Sequence, residues 1–199
     1  MTAQADQSNQ ELASIDVFNG DADGICALHQ LRLHDPRPEA RLVTGVKRDI
    51  ALLERLAEVR ESRITVLDIS LDRNRAALIR LLDQGNRIFY ADHHYSGEIP
   101  DRDSLECHID PAPVVCTSLI IDQLLAGRYR PWAIVGAFGD NLDDVAVSLA
   151  ASLSWPDADI ALLKETGRLL NYNGYGMAEV DLLVHPADLF REVHRFGDP

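Results

Sequence analysis

Lysine appears only twice in 199 residues, at Lys47 and Lys164, and Asp and Glu outnumber Lys and Arg by 32 to 19, for a formal net charge of −13. A chain so short of positive charge does not grip long duplex nucleic acid, an affinity that comes from Lys and Arg clustered against phosphates. A short or small anionic substrate is still compatible with this charge. Cysteine is scarce too. Cys26, Cys107 and Cys116 are odd in number, lack CxxC spacing and sit in apolar neighbourhoods, which suits buried reduced thiols in the cytosol. No apolar run approaches the ~20 residues of a spanning helix, and the start, MTAQADQSNQELAS, has no basic segment leading into an apolar one. The expectation is a soluble, cytoplasmic protein with no membrane partner. Glycine-rich phosphate loops are missing as well: no GxGxxG follows the first strand, and no such loop ends in Lys-Ser or Lys-Thr. There is no internal repeat and no low-complexity tract.

What is present is a regular alternation. With 46% apolar residues the chain can bury one good core, or one core and a small appendage, so one main domain is expected. Residues 1–10 read as a flexible polar tail. Short apolar strands, SIDVF (14–18), RLVTG (41–45), RITVLDIS (63–70) and RIFYADHH (87–94), alternate with segments of helical spacing: GICALHQLRL, DIALLERLAEVR with Asp49 as N-cap, and DRNRAALIRLLDQG stopped by Gly85. This pattern predicts a doubly wound α/β domain: a mostly parallel sheet with helices on both faces, over residues 11–155. CHID is a further strand candidate, VVCTSLIIDQLLAG a helix, and PWAIVGAFGDN is open between helix and strand. Residues 156–199 read as a helical linker or cap, with HPADLFREVHRF its last helix.

Ligands of an open parallel sheet sit outside the carboxyl ends of the strands. Strand one is followed by NGDADG, with Asp21 and Asp23; strand three ends in Asp68; strand four ends in Asp92, His93 and His94; the later apolar segment ends in Asp140. All of these are expected at one edge. Four carboxylates brought together would raise one another's pKa unless cations lay between them, and two divalent ions would balance Asp21, Asp23, Asp68 and Asp140. Each residue also has a plain structural use: an Asp- and Gly-rich turn for NGDADG, and a helix cap for Asp68 or Asp140. His29 and His34 read as surface or core-edge residues, and His108, His185 and His194 have no partner pattern.

DADG after the first strand, the Asp of VLDIS, the DHH of residues 92–94 and the Asp of FGDN together resemble the four ordered motifs of the DHH phosphoesterase superfamily, over about residues 14–150. The family includes single-strand exonucleases, short-oligonucleotide and cyclic-dinucleotide phosphodiesterases, exopolyphosphatases and family II pyrophosphatases. The resemblance implies that Asp21 binds one metal ion and Asp23 the other, that Asp68 bridges them, that His93 and Asp140 complete the ligands of the second ion, and that His94 faces the substrate phosphate. Asp92 would orient a ligating histidine. Mixed imidazole and carboxylate ligation suits two Mn²⁺ ions, with Mg²⁺ or Co²⁺ as alternatives, and the implied reaction is hydrolysis of a phosphoester or phosphoanhydride by a water activated between them. Lys47 and Arg48, after the second strand, read either as an exposed pair at a helix start or as contacts for a phosphate.

Two departures qualify the resemblance. Val17 stands where several members carry a histidine four residues before the first Asp, so the first ion would keep more water. The family's usual C-terminal substrate domain with its GGGH motif has no counterpart in this sequence, and the expectation is a reduced version, a homo-oligomer or a missing substrate domain. A haloacid dehalogenase-like phosphatase is a rival, since DADG and GDNLDD mimic its acidic motifs. That chemistry needs a Lys beside the acids, for which neither Lys47 nor Lys164 looks well placed, and it leaves His93 and His94 unexplained. The other rival is a non-catalytic nucleotide- or metal-binding module of the same fold.

Overall fold

The computed structural model describes residues 12–199; the predicted tail, residues 1–10, lies outside the described residues. Five strands, β1 (Ser14–Phe18), β2 (Arg41–Val43), β3 (Arg63–Leu67), β4 (Arg87–Asp92) and β5 (Leu105–Ile109), form one sheet in the order β2-β1-β3-β4-β5. Every pairing is parallel, for example Val17 opposite Val43 and Val66, and Val66 opposite Tyr90. CHID is therefore part of a real edge strand.

The strands read as near-continuous apolar runs because both faces are covered. Ile15, Val17, Ile64, Val66, Ile88 and Tyr90 point to one face, where α2 (Leu71–Asp83) and a 3₁₀ segment, Leu52–Leu56, pack on them. Phe18, Leu67 and Ala91 point to the other, under α1 (Ala22–His34), α3 (Thr117–Leu124), α4 (Arg130–Gly139), α6 (Asp157–Asn173) and α7 (Pro186–Val193), with α5 (Asp143–Ala150) behind α4. Leu163, Leu170, Phe190 and Val193, from the segment read as linker or cap, belong to the same core as β1 and α1.

Two expectations are corrected. DIALLERLAEVR makes only the 3₁₀ segment, and Asp49 does not cap it but pairs with Arg55. The side chain of Asn74 on α2 bonds the Leu53 amide (3.3 Å) and the Ile50 carbonyl (2.6 Å), claiming groups that an α-helix would use internally, while Leu52, Leu53 and Leu56 are buried together on one side. His29, expected near the surface, is fully buried against the edge of Trp132. The open segment PWAIVGAFGDN is α4, with Pro131 in its first turn; Trp132 to Gly139 are all buried, so its sequence carries no amphipathic period.

Candidate metal centre

The strand order reverses between β1 and β3, and this crevice is where a ligand is expected. Asp21 and Asp23 follow β1, Asp68 follows β3, and Asp92, His93 and His94 end and follow β4. Asp140 reaches them differently from expectation, from the C-terminal end of helix α4 rather than from a strand. A carboxylate at that end adds to the negative pole of the helix, an arrangement that favours a nearby cation. A cavity of about 300 Å³ opens over the cluster, lined by Asp21, Lys47, Asp68, Arg73, His93 and His94 among others.

His93 is the hub. Its Nδ1 is 3.1 Å from the carbonyl of Val115, a group that can only accept, so Nδ1 carries the proton and Nε2 the lone pair of the neutral ring. That Nε2 lies 3.4 Å from Asp68 Oδ1, 3.8 Å from Asp140 Oδ2 and 4.0 Å from Asp23 Oδ2. Donor atoms of Asp23, His93 and Asp140 all fall within 4.8 Å of one another, as do those of Asp68, His93 and His94.

The carboxylates are held by different means. Asp23, fully buried, accepts from the amides of Thr117 (2.7 Å) and Ser118 (2.8 Å) at the start of α3, and from the Ser118 hydroxyl. Burial pushes its carboxyl up, but in metal-free protein attraction to a protonated His93 ring, together with these hydrogen bonds, outweighs that and holds it low. Asp68 has φ +58°, the left-handed region, and accepts from Thr117 Oγ1 at 3.2 Å. Its burial, then repulsion from Asp21, Asp23, Asp92 and Asp140, drives its carboxyl well above the ordinary range. Asp140 is pushed up to about 6, first by burial and then by Asp23. Asp21 Oδ1 caps α1 through the amides of Asp23 (3.0 Å) and Gly24 (3.1 Å), and its Oδ2 is 2.7 Å from Lys47 Nζ. Asp92 orients His94, not His93: its Oδ1 is 2.7 Å from His94 Nδ1, and that hydrogen bond raises the histidine's pKa.

The donor set fits a divalent ion. A neutral imidazole lone pair facing three carboxylate oxygens at 3.4–4.0 Å is repulsive unless a proton or a cation lies between. The nearby Cys116 thiol is buried and pushed well above its usual pKa, which leaves an oxygen and nitrogen donor set.

The expected phosphate contacts divide. Lys47 lines the cavity but pairs with Asp21, lies 3.6 Å from Asp140 Oδ1 and bonds Asn171 Oδ1 at 3.0 Å. It thus stands between the acids of DADG and FGDN, the position that the dehalogenase-like reading required. Arg48 is exposed and turns to the Met177 sulfur, outside the cavity. Arg73, which the sequence reading passed over, lines the cavity from the first turn of α2 and makes no ion pair among the described residues. Thr117 and Ser118 were also missed; a Thr-Ser pair opening an apolar helix was the available signal.

No family model matches the sequence, and no curated protein does. Among solved structures, the chain is similar to the crystal structure of exonuclease RecJ bound to manganese, with a TM-score of 0.51 at 18% identity over 94% of this chain and 62% of that one. RecJ from Thermus thermophilus in complex with Mn²⁺ gives 0.47 at 16% identity, over 94% of this chain and 35% of that one. An uncharacterized protein from Helicobacter pylori gives 0.46 at 17%, over 94% and 65%. The chain spans less than two thirds of the length of the RecJ chains it matches. At such identity the first match establishes architecture alone: the chain has an α/β fold like that of this RecJ structure, the architecture that the motif resemblance implied.

Proposed function

We propose that this chain is a metal-dependent hydrolase of phosphoester or phosphoanhydride bonds, acting on a short oligonucleotide or small nucleotide, with phosphodiesters preferred to pyrophosphate. The observation that supports this most is His93 Nε2 aimed among Asp23, Asp68 and Asp140 beneath an open cavity. Mn²⁺ suits the mixed donor set. A divalent ion there supplies Lewis-acid stabilisation of charge on the phosphoryl oxygens and makes a water molecule more acidic. Asp23, Asp68, His93 and Asp140 hold it. His94, its Nδ1 proton fixed on Asp92, turns Nε2 to the substrate phosphate, and Arg73 offers a second cationic contact. Of the two ion positions expected, the one around His93 has two donor groups that share its ring, Asp23 with Asp140 and Asp68 with His94; the other, at Asp21, already contains the Lys47 ammonium. A cytoplasmic setting belongs to this reading, as does a second copy or a substrate-binding segment completing the substrate site.

A second reading is favoured by one observation, Lys47 between Asp21 and Asp140: a phosphatase with Asp21 as nucleophile. In that case Asp21→Asn abolishes turnover and His93→Ala leaves most of it. The proposed reading expects the reverse order. Hydrolysis of bis-p-nitrophenyl phosphate, short oligonucleotides, cyclic dinucleotides, polyphosphate and pyrophosphate, with and without Mn²⁺, tests it. No hydrolysis of any of these would leave the non-catalytic module as the account.

A further inference from the structure

The Lys47 ammonium takes up one half of the acidic cluster. Its Nζ is 2.7 Å from Asp21 Oδ2 and 3.6 Å from Asp140 Oδ1, and the other oxygen of Asp21 is committed to the amides that start α1. Asp21 therefore has no oxygen left over, and its donor atoms belong to neither of the two clusters that gather around His93. Lys47 is also tied down from several directions. Asn171 on α6 accepts from its ammonium at 3.0 Å, the Tyr175 ring lies 5.9 Å from Nζ, the Lys47 amide bonds the Gly174 carbonyl at 2.9 Å, and the Asn19 side chain holds its carbonyl at 3.2 Å. To admit an ion at Asp21, the chain would have to extract this ammonium from a carboxylate that is itself 3% exposed, and the half-buried Lys47 would lose its nearest counter-charge.

We infer that the centre is mononuclear, with one divalent ion on the single His93 Nε2 lone pair shared by the two donor groups, Asp23 with Asp140 and Asp68 with His94, and that Lys47 serves as a built-in cation in place of a second ion at Asp21. The inference rests on the proposed metal-dependent reading and specifies its stoichiometry. One divalent ion and one ammonium supply three positive charges against the four carboxylates, so most of the repulsion is relieved without a second metal. Lys47 is then a positioning residue: it fixes Asp21 and Asp140 and leaves the phosphate to His94 and Arg73.

Metal content decides the matter independently of activity. Chelator-stripped protein is dialysed to equilibrium against Mn²⁺, and bound metal is counted, with electron paramagnetic resonance separating an isolated Mn²⁺ from an exchange-coupled pair. The wild type should bind one ion with the spectrum of an isolated centre, and Lys47→Met should bind two and show coupling. Lys47→Gln, which keeps a donor to Asp21 without the charge, should also bind two and replaces Lys47→Met if that variant does not fold. Two coupled ions in the wild type overturn the inference and leave the metal-dependent reading standing. One ion in both the wild type and the Lys47 variants overturns the role given to Lys47. No bound ion in the wild type overturns the reading itself, and the inference with it.

Discussion

Asp68 concentrates the demands of the site in one residue. It is 2% exposed, its backbone is left-handed, its carboxyl is driven well above its usual pKa, and its Oδ1 is the carboxylate oxygen nearest to His93 Nε2. A non-glycine residue held at positive φ costs of order 1 kcal/mol or more, which rigid surroundings must supply. Asp68→Asn should have two opposite effects. In metal-free protein near neutral pH it removes the cost of burying this carboxyl among other carboxylates, so the variant should melt above the metal-free wild type. With Mn²⁺ present it should lower hydrolysis by about a hundredfold or more, the scale of losing a group that stabilises charge in the transition state. Asp21→Asn should be milder, since Asn still caps α1. Equal losses for the two variants, or a lower melting point for metal-free Asp68→Asn, would contradict this account. At this scale the convergence of Asp21, Asp23, Asp68, His93 and His94 on one edge was legible in the sequence, because they end or follow strands; Asp140 joins them from the end of a helix that the sequence left open between helix and strand. The partners of Lys47 were not: Asn171 lies 124 residues away, and no local pattern announces that contact.

Among the elements, α1 joins the site to the core. Its N-terminus is capped by Asp21; along its length lies His29, with Nδ1 2.9 Å from His194 Nδ1 at the end of α7, and with Nε2 buried and unpartnered among the described residues. Burial, then the neighbouring His194, lowers the His29 pKa to about 3; His194 is lowered too, by burial and then by Arg32. The unfolded chain takes up this proton near pH 6.5 and the folded one resists it down to about 3. Stability from a neutral His29 is therefore present above pH 6.5 and is lost as pH falls towards 3, at up to about 1.4 kcal/mol per pH unit. Urea melts between pH 7 and 4.5 should show the wild type losing stability faster than His29→Phe, which keeps a ring against Trp132. Asp68 and Asp140 work in the opposite direction in metal-free protein, so the difference between the two chains is the informative quantity. Parallel curves would show that His29 is not what limits acid stability. Strands and most helices were legible from alternation; α4 and the 3₁₀ segment were not, one because it is buried all round, the other because Asn74 intercepts its backbone.

On the scale of the whole molecule, a −13 chain gathers Asp21, Asp23, Asp68, Asp92 and Asp140 at one edge of a parallel sheet, at the point where the strand order reverses. The fold class followed from the sequence because alternating strands and helices leave few other ways to cover both faces of a sheet. How residues 157–193 join the core did not, since packing α6 on α4 and Phe190 on Phe18 depends on contacts remote in sequence. Among the described residues no helix is long and apolar enough to cross a membrane. The folded chain is expected to hold a divalent ion at His93. An ion that binds the folded state alone stabilises it by about 2.7 kcal/mol at a hundred times its dissociation constant, which for a chain of this size raises the melting temperature by roughly 5 to 11 °C. The most direct measurement is thermal unfolding of the wild type and of the double variant Asp23→Asn/His93→Ala, each in chelator and in saturating Mn²⁺. The wild type should rise by that amount and the double variant should not move; a wild-type melting curve unmoved by millimolar Mn²⁺ would contradict the claim.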